Sequence, residues 1–305
     1  MTLEQLAIFV AVAERQHLTR GAQALGLTPS AASSAIRTLE GFHGVELFHR
    51  VGRRIELTAI GRAFLGEARA TLARAKSAEL MLSDMSGLAR GEISVFASQT
   101  IAGYWLPPIL LKFKRLYPGV ALTLTIGNTR TVADAIRDGL GDVGFVEGMV
   151  DEPALSVLPI VADRLVVVAS PVHPFGDGRA ISRADITDVT AWVLREKGSG
   201  TRSAFEEALA GMGIGPGDIS VMLELPSNEA VVSAVRSGDC ATAVSGMVAA
   251  PFLRQGLLVR AGIDLPTRSF AVLRHKERHR GRAAEELERI SRAAADEHKA
   301  GLMGL

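Results

Sequence analysis

The sequence predicts an α/β protein: an all-α head with a two-stranded appendage, a long linking helix, and a body of open α/β sheets. Three observations predict it. Residues 18–54 read as two short helices around a glycine turn, followed by a segment alternating apolar and polar residues. Residues 58–87 are free of proline and carry apolar or small residues at alternating steps of three and four. From Glu92 onward, short apolar runs alternate with helical stripes, the order that builds open α/β sheets.

In the head, Leu3, Leu6, Ala7, Val10 and Ala13 form the stripe of a first, supporting helix. Thr19 caps a short helix over Arg20–Leu25, and Gly26 ends it, since a sharp turn needs the left-handed backbone that glycine adopts freely. Thr28 caps a second helix with Pro29 at its first position, where a missing N–H costs nothing. On that helix Ala32, Ile36 and Leu39 recur as one buried stripe, leaving Ser30, Ser33, Ser34 and Arg37 outward. This is the helix-turn-helix pattern. It places Pro29–Leu39 in the major groove of double-stranded DNA. Small hydroxyls let the backbone approach, and Arg37 reaches a phosphate or a guanine edge. Arg20 and Thr28 complete the candidate contacts of the two helices. Val45–Thr58 alternates around Leu47, Phe48, Ile55 and Leu57 with Arg50, Arg53 and Arg54 between them. That pattern reads as a two-stranded wing whose arginines lie along the backbone or in the minor groove. The competing reading of the same spacing is a helical hairpin with a charged, solvated loop.

Composition narrows the class. The chain has 305 residues, 48% hydrophobic and 22% charged, enough for two or three domains with cores of their own. No apolar run approaches the roughly 20 residues of a membrane span. Glu4 and no cation precede the first apolar stretch, which argues against a signal peptide and for a cytoplasmic protein without a membrane partner. The single cysteine, Cys240, excludes an internal disulfide and suits a reducing compartment. Beside Asp239 it reads as a packed core residue, with a redox-sensing thiol as the alternative. The net charge is only +1, yet residues 15–62 hold seven arginines against three acids, leaving the rest of the chain net negative. A basic head on a slightly acidic body suits a phosphate-contacting module.

The stretch LGLTPSAASSAIRTLEGFHGVELFHR, followed by LTAIGRAFL, resembles the amino-terminal signature of LysR-type transcriptional regulators. Later stretches resemble that family's effector domain, so the resemblance covers about the whole chain. Ser34 and Ala35 stand where the family usually carries longer polar side chains, and Gly41 interrupts the end of the recognition helix. These departures bear on which bases are read, not on the class. The resemblance implies a winged helix-turn-helix over residues 1–58, a linker helix and hinge over 59–90, and an effector domain over 91–305. That domain is similar to periplasmic solute-binding proteins, which implies two lobes: 91–161 with 269–305, and 162–268. The chain then crosses between lobes near Val161–Asp163 and again near Pro266–Ser269. It also implies a ligand-responsive regulator without enzymatic activity or cofactor, with RNA polymerase as a further partner.

The seam of the linking helix is Gly61, Phe64, Ala68, Thr71, Ala75, Ala78, Leu82 and Met85. A solitary amphipathic helix gains little in a monomer, so the seam points to a second copy; the other reading lays the helix on its own body. The resemblance favours an intermolecular pair, a homodimer at least and a homotetramer as the family assembly, holding two heads on successive half-sites. Gly87–Gly91 is the hinge.

In the body, Ile93–Ala97 and Val120–Ile126 read as strands, and Tyr104–Tyr117 as a helix opened by Pro107 and Pro108. Val132, Ile136 and Leu140 stripe another helix. Val143–Val146 and Leu165–Ala169 are continuous apolar runs, the signature of parallel strands buried on both faces. The alternation continues through Trp192–Leu194, Thr201–Met212, Val221–Leu225, Ser227–Ser237, Ala241–Ser245 and Phe270–Leu273. In such sheets ligands bind beyond the carboxyl ends of strands, at helix N-termini. Three such ends are polar: Ser98-Gln99-Thr100, Gly127-Asn128-Thr129, and Lys197 to Arg202 with Ser199 and Thr201. All suit a small anion, though helix capping explains each one alone. The resemblance carries ligand roles onto Ser98, Thr100 and Thr201, and less directly onto Asn128. Glu147 complicates a bare-anion pocket; it pairs with Arg202 or accepts from a ligand amine.

Other signals are set aside. Gly139–Gly144 matches GxGxxG literally but follows a helix and precedes a strand, the reverse of a dinucleotide site. His275 and His279 lack companions for a metal site. Ser199 lacks the nucleophile elbow, and no serine, histidine and acid stand in a credible order. Of the rival readings, a solute-binding transport component fits the body alone but not the basic head. An α/β enzyme would need a nucleophile, metal or cofactor motif.

Overall fold

The structure, a computed structural model, describes residues 1–51, 54–84, 91–176 and 180–303, with side chains excepted at 50, 54, 83, 84 and 298–303. It forms two compact units. One is Met1–Ser86 with Arg137–Leu140 and Arg278–Gly281; the other is Gly87–Ile136, Gly141–Glu277 and Arg282–Leu305.

Helix α1 (Leu3–Arg15) opens the first unit with a capping box between Thr2 and Gln5. Its buried face is wider than the expected stripe: Ile8, Phe9, Ala11 and Val12 are buried as well, whereas Leu3 is exposed. Three helices, the two that follow it and the long linking helix, pack on it from different sides, so one stripe cannot describe it. Helix α2 (Leu18–Ala24) crosses it at Gly21, where any Cβ would lie 2.6 Å from Val12 Cγ2. The α2 cap is His17, whose Nδ1 accepts from Arg20 N, rather than Thr19, which lies inside the helix. Gly26 takes φ +69°, as the turn requires.

Helix α3 (Pro29–His43) is capped by Thr28 Oγ1, which accepts from Ala31 N at 3.2 Å. Contrary to expectation it runs through Gly41 and stops at Gly44, in the left-handed conformation at φ +64°. An exposed glycine weakens a helix by only ~1 kcal/mol. The last turn is pinned from elsewhere: Leu39 is buried, and the Glu40 carboxylate accepts from Leu47 N and Phe48 N (2.8 and 3.2 Å). Strands β1 (Phe48–Val51) and β2 (Arg54–Leu57) pair antiparallel as the wing. Helix α4 (Ala59–Asp84) follows, capped by Thr58 Oγ1 accepting from Gly61 N.

The α4 seam divides. Phe64 stacks on Phe9 with centroids 5.1 Å apart and Ala68 is buried in the same cluster, so both pack on their own head. Ala75 is half-buried, and Thr71, Ala78 and Leu82 are exposed. Met85 and most of the expected hinge lie outside the described residues.

The second unit proceeds as β3 (Gly91–Ser98), α5 (Gln99–Tyr104), α6 (Leu106–Leu116), β4 (Val120–Gly127), α7 (Thr129–Asp138), β5 (Val143–Glu147) and β6 (Leu155–Ala169). It continues with β7 (Ala191–Arg195), α8 (Gly200–Gly211), β8 (Ser220–Leu225), α9 (Asn228–Ser237), β9 (Cys240–Ser245), α10 (Gly246–Arg254), β10 (Val259–Arg260), β11 (Thr267–His275) and α11 (Arg282–Met303). Among the described residues the sheet runs β4-β3-β5-β11-β6-β9-β7-β8, with β10 beside β6. The expected crossings near 161–163 and 266–269 are one ladder, in which β6 and β11 pair antiparallel and Arg268 stands opposite Asp163.

Two lobes hang on that ladder. One core holds Val95, Trp105, Phe113, Phe145 and Phe270; the other holds Trp192, Phe205, Val231 and Val244. The apolar run Leu165–Ala169 is not parallel, as expected, but antiparallel to β9 and β10. Leu165, Val167 and Ala169 enter one core cluster while Val166 and Val168 enter another on the opposite face. Two-faced burial makes a continuous apolar run in either strand direction. Here the direction is imposed by the crossing.

Candidate functional site

The α3 stripe packs inward as expected: Ala32, Ile36 and Leu39 are buried. The opposite face is open, with Ser30, Ser34 and Arg37 exposed and Ser33 half-buried. Its internal bonds are weak competitors for a phosphate: Arg37 Nε donates to Ser33 O at 3.4 Å, and Thr28 Oγ1 lies 3.1 Å from Ser30 Oγ. Arg20 and Pro29 are exposed as well. Arg53 lies outside the described residues; the backbones of Arg50 and Arg54 lie on the two wing strands, opposite Ile55 and Val51.

In the body, the strand ends converge on a buried polar seam between the lobes. Ser98, the last residue of β3, leaves α5 without a side-chain cap because its Oγ donates to Glu147 Oε2. Glu147 ends β5 and is 1% exposed. Its other carboxylate oxygen accepts from Thr201 Oγ1 at 3.4 Å, and its carbonyl from Thr129 Oγ1 at 2.7 Å. Thr201 Oγ1 in turn accepts from Arg268 Nη1 (3.0 Å) and lies 3.5 Å from Thr100 Oγ1. Thr100 accepts from Asn228 Nδ2, and Asn228 Oδ1 accepts from Arg195 Nη1. All of these side chains are buried.

Both buried arginines have acidic partners. Arg268 Nε donates to Asp163 Oδ2 at 2.8 Å while Ser245 Oγ donates to Asp163 Oδ1 at 2.6 Å. Arg195 binds both carboxylate oxygens of Glu196 at 2.8 and 3.0 Å. One buried donor of the seam nevertheless lacks an acceptor, Ser199 Oγ; Arg268 Nη2 stands 2.8 Å from Asp163 Oδ2, the oxygen that Nε also reaches. Ser199 is the N-cap of α8 and makes no side-chain cap bond, and Arg268, on β11, reaches the same turn through Thr201. Gly200 makes the close approach possible, since a Cβ there would fall 1.8 Å from Glu147 O.

Of the residues expected from sequence, Ser98, Thr100, Glu147 and Thr201 are brought together, with Thr129 and Ser199 beside them. Asn128 does what capping demands, its Oδ1 accepting from Thr131 N, while Nδ2 reaches Glu196. Gln99 is spent on bridging the lobes: it accepts from Asn228 N and donates to Glu229. Tyr104 also donates to Glu229, and burial and that carboxylate push its phenol upward, keeping the proton in place. The expected Glu147–Arg202 pair does not form. Burial pulls the Arg202 guanidinium down, but its bonds to Glu206 and Glu224 outweigh it, and Glu147 is left to hydroxyl donors. Asp163, Arg195, Asn228, Ser245 and Arg268 were not expected. Asp163 and Arg268 had a visible signal, charged residues inside apolar strands.

Among the described residues, no His, Cys, Asp and Glu group is placed to hold a metal ion, and no helix is long and apolar enough to cross a membrane.

Residues 3–62 match the family model described as bacterial regulatory helix-turn-helix protein, lysR family; residues 86–296 match the LysR substrate binding domain. The chain is 32% identical over 281 residues to the HTH-type transcriptional regulator YeiE of Escherichia coli (strain K12), covering 92% of this chain and 93% of that one. The fold is similar to that of a full-length OxyR variant from Pseudomonas aeruginosa, with a TM-score of 0.72 at 22% identity over 96% of this chain and 95% of that one. It is similar also to the CcmR regulatory domain of Synechocystis PCC6803 in complex with 2-PG, with a TM-score of 0.61 at 25% identity over 68% of this chain and 98% of that one.

Proposed function

The chain belongs to the LysR family of transcriptional regulators, and from that premise we propose which surfaces read DNA and which ligand it senses. Double-stranded DNA is read by the Ser30, Ser33, Ser34 and Arg37 face of α3, with Arg20 and Thr28 at its edge and the wing arginines Arg50, Arg53 and Arg54 along the backbone. A small metabolite bearing an anionic group is sensed between the lobes. The observation that carries this effector reading is a buried donor without an acceptor, Ser199 Oγ at the N-cap of α8, beside the Arg268 guanidinium that reaches the same turn through Thr201. Free N–H groups and the helix dipole favour an anion at such a place. Orphaned buried donors are rare, which makes a missing acceptor the economical account. The CcmR regulatory domain, a relative of this fold, was solved with 2-PG.

Ligand entering beside the β6–β11 ladder would tilt one lobe on the other, biasing a two-state arrangement of the assembly. That assembly is proposed as a homotetramer, and a homodimer at least, with Thr71, Ala78 and Leu82 of α4 available to a partner helix. Contact with RNA polymerase and cytoplasmic placement belong to the same proposal, since the family acts on DNA. A solute-binding transport role is not favoured, because the helix-turn-helix match occupies residues 3–62.

Gel shift on the DNA upstream of its own gene, at two salt concentrations, tests the first part. A specific shift that weakens steeply with salt is expected. Calorimetry of the full chain with small carboxylates and phosphates tests the second. Wild-type affinity in the Thr100→Ala, Thr201→Ala double variant overturns the site.

A further inference from the structure

Glu147 is the unusual member of the interlobe seam. Each buried arginine there has an acid of its own, Asp163 for Arg268 and Glu196 for Arg195. The Glu147 carboxylate, 1% exposed, receives only the hydroxyls of Ser98 and Thr201. Among the described residues no cation pairs with it. A carboxylate held away from water without a cation is costly. Hydroxyl donors recover only part of that.

The two poles of the seam are close. Thr201 Oγ1 takes a hydrogen bond from Arg268 Nη1 and gives one to Glu147 Oε1, so the cationic and anionic groups stand one hydroxyl apart. On the Arg268 side the Ser199 hydroxyl lacks an acceptor; on the Glu147 side a carboxylate lacks a cation. Gly200, pressed against Glu147 O, locks the start of α8 to the end of β5 and so fixes the spacing of the poles. A bare dianion would be drawn to one pole and repelled by the other.

Resting on the reading of this seam as the effector site, we propose that the effector is an amino acid or a similarly compact amino-substituted acid. Its carboxylate accepts from Ser199 Oγ and the free N–H groups at the start of α8, beside the Arg268 guanidinium. Its ammonium donates to Glu147, whose lone charge it neutralises. Glu147 thereby rejects acids of the same shape that lack the amine.

The test is calorimetry on the full chain with four probe sets: the proteinogenic amino acids, their 2-hydroxy counterparts, their unsubstituted carboxylic acids, and inorganic sulfate and phosphate. At least one amino acid is expected to bind on the order of 100-fold more tightly than its hydroxy and unsubstituted counterparts, since a buried group left unpaired penalises the analogue. In Glu147→Gln, melting like wild type, that preference falls to within about tenfold. Hydroxy acids, plain carboxylates or sulfate binding as tightly as any amino acid overturn the inference, as does a preference that survives Glu147→Gln. The underlying site is read separately in Ser199→Ala, Thr201→Val. Loss of all binding there supports the interlobe site whichever probe binds; unchanged binding there removes the site and the inference with it.

Discussion

Asp163 and Arg268 stand directly opposite each other on β6 and β11, and their side chains close a buried ion pair at the one ladder both lobes share. Ser245 braces the carboxylate and Thr201 accepts from the guanidinium, so the pair joins the inter-lobe crossing to the start of α8. Breaking a buried pair by removing one member leaves an uncompensated charge, at a cost of about 3–5 kcal/mol, whereas replacing both by apolar residues is often neutral. Asp163→Ala is therefore expected to lower the urea midpoint of the body strongly, and Asp163→Leu with Arg268→Met to restore most of the loss. Equal instability in the single and double variants would show that the pair is held for other reasons.

Arg37 separates binding from folding. Its side chain is exposed and its described bond stays within its own helix. Arg37→Ala is expected to weaken operator binding by about 1–3 kcal/mol without moving the melting temperature. Fluorescence anisotropy with labelled operator reads the first and calorimetric melting the second. Unchanged affinity would count against α3 as the reading helix.

The head was legible because its cues are local. A threonine cap, a proline at the first helical position and a stripe at steps of four and three all lie within one helix, and each is found there. Two differences in the head arise from contacts outside the element, Glu40 holding the end of α3 and Phe64 packing on Phe9, whereas the α2 cap differs locally, His17 taking the place expected of Thr19. The strand ends of the body were legible as polar clusters, but their partners were not. Thr100 meets Asn228 and Arg268 meets Asp163 only through the sheet order, which periodicity does not encode. The same limit holds for Glu147: of its two expected roles the pair with Arg202 does not form, because Glu206 and Glu224 take the guanidinium.

Glycine substitutions distinguish packing from propensity. A Cβ at Gly200 would meet Glu147 O at 1.8 Å, a backbone atom that has little room to yield, whereas a Cβ at Gly66 on α4 meets nothing within 4 Å. Gly200→Ala is expected to destabilise the body by about 1–3 kcal/mol and to abolish the ligand-induced melting shift. Gly66→Ala is expected to stabilise by about 0.5–1 kcal/mol, through the lower entropy of the unfolded chain. Thermal melting with and without ligand reads both.

The cysteine has a physical role of a quieter kind. Cys240 is buried at the start of β9, and burial, with Asp239 adding its charge, pushes the thiol up and away from the reactive thiolate. A thiol-reactive chromophore is expected to leave it unmodified in the folded protein and to titrate it fully in denaturant. Rapid native labelling would revive the redox reading.

His173 gives the second lobe a pH dependence with a definite sign. The ring is buried, and burial lowers its pKa, against a smaller upward pull from Asp239. The neutral form is built into the turn: Nδ1 accepts from Phe175 N at 3.1 Å, a bond that protonation of that nitrogen would remove. A depressed histidine means that the unfolded chain takes the proton first. Stability is then fully present above the unfolded value near 6.5 and declines as pH falls from there toward the folded value. The test compares wild type with His173→Asn, whose side-chain oxygen can accept from the N–H two residues on without titrating. Urea midpoints between pH 7.5 and 5.5 are expected to fall more steeply in the wild type than in the variant. Parallel slopes would mean that the buried ring takes up its proton as readily as the unfolded chain does.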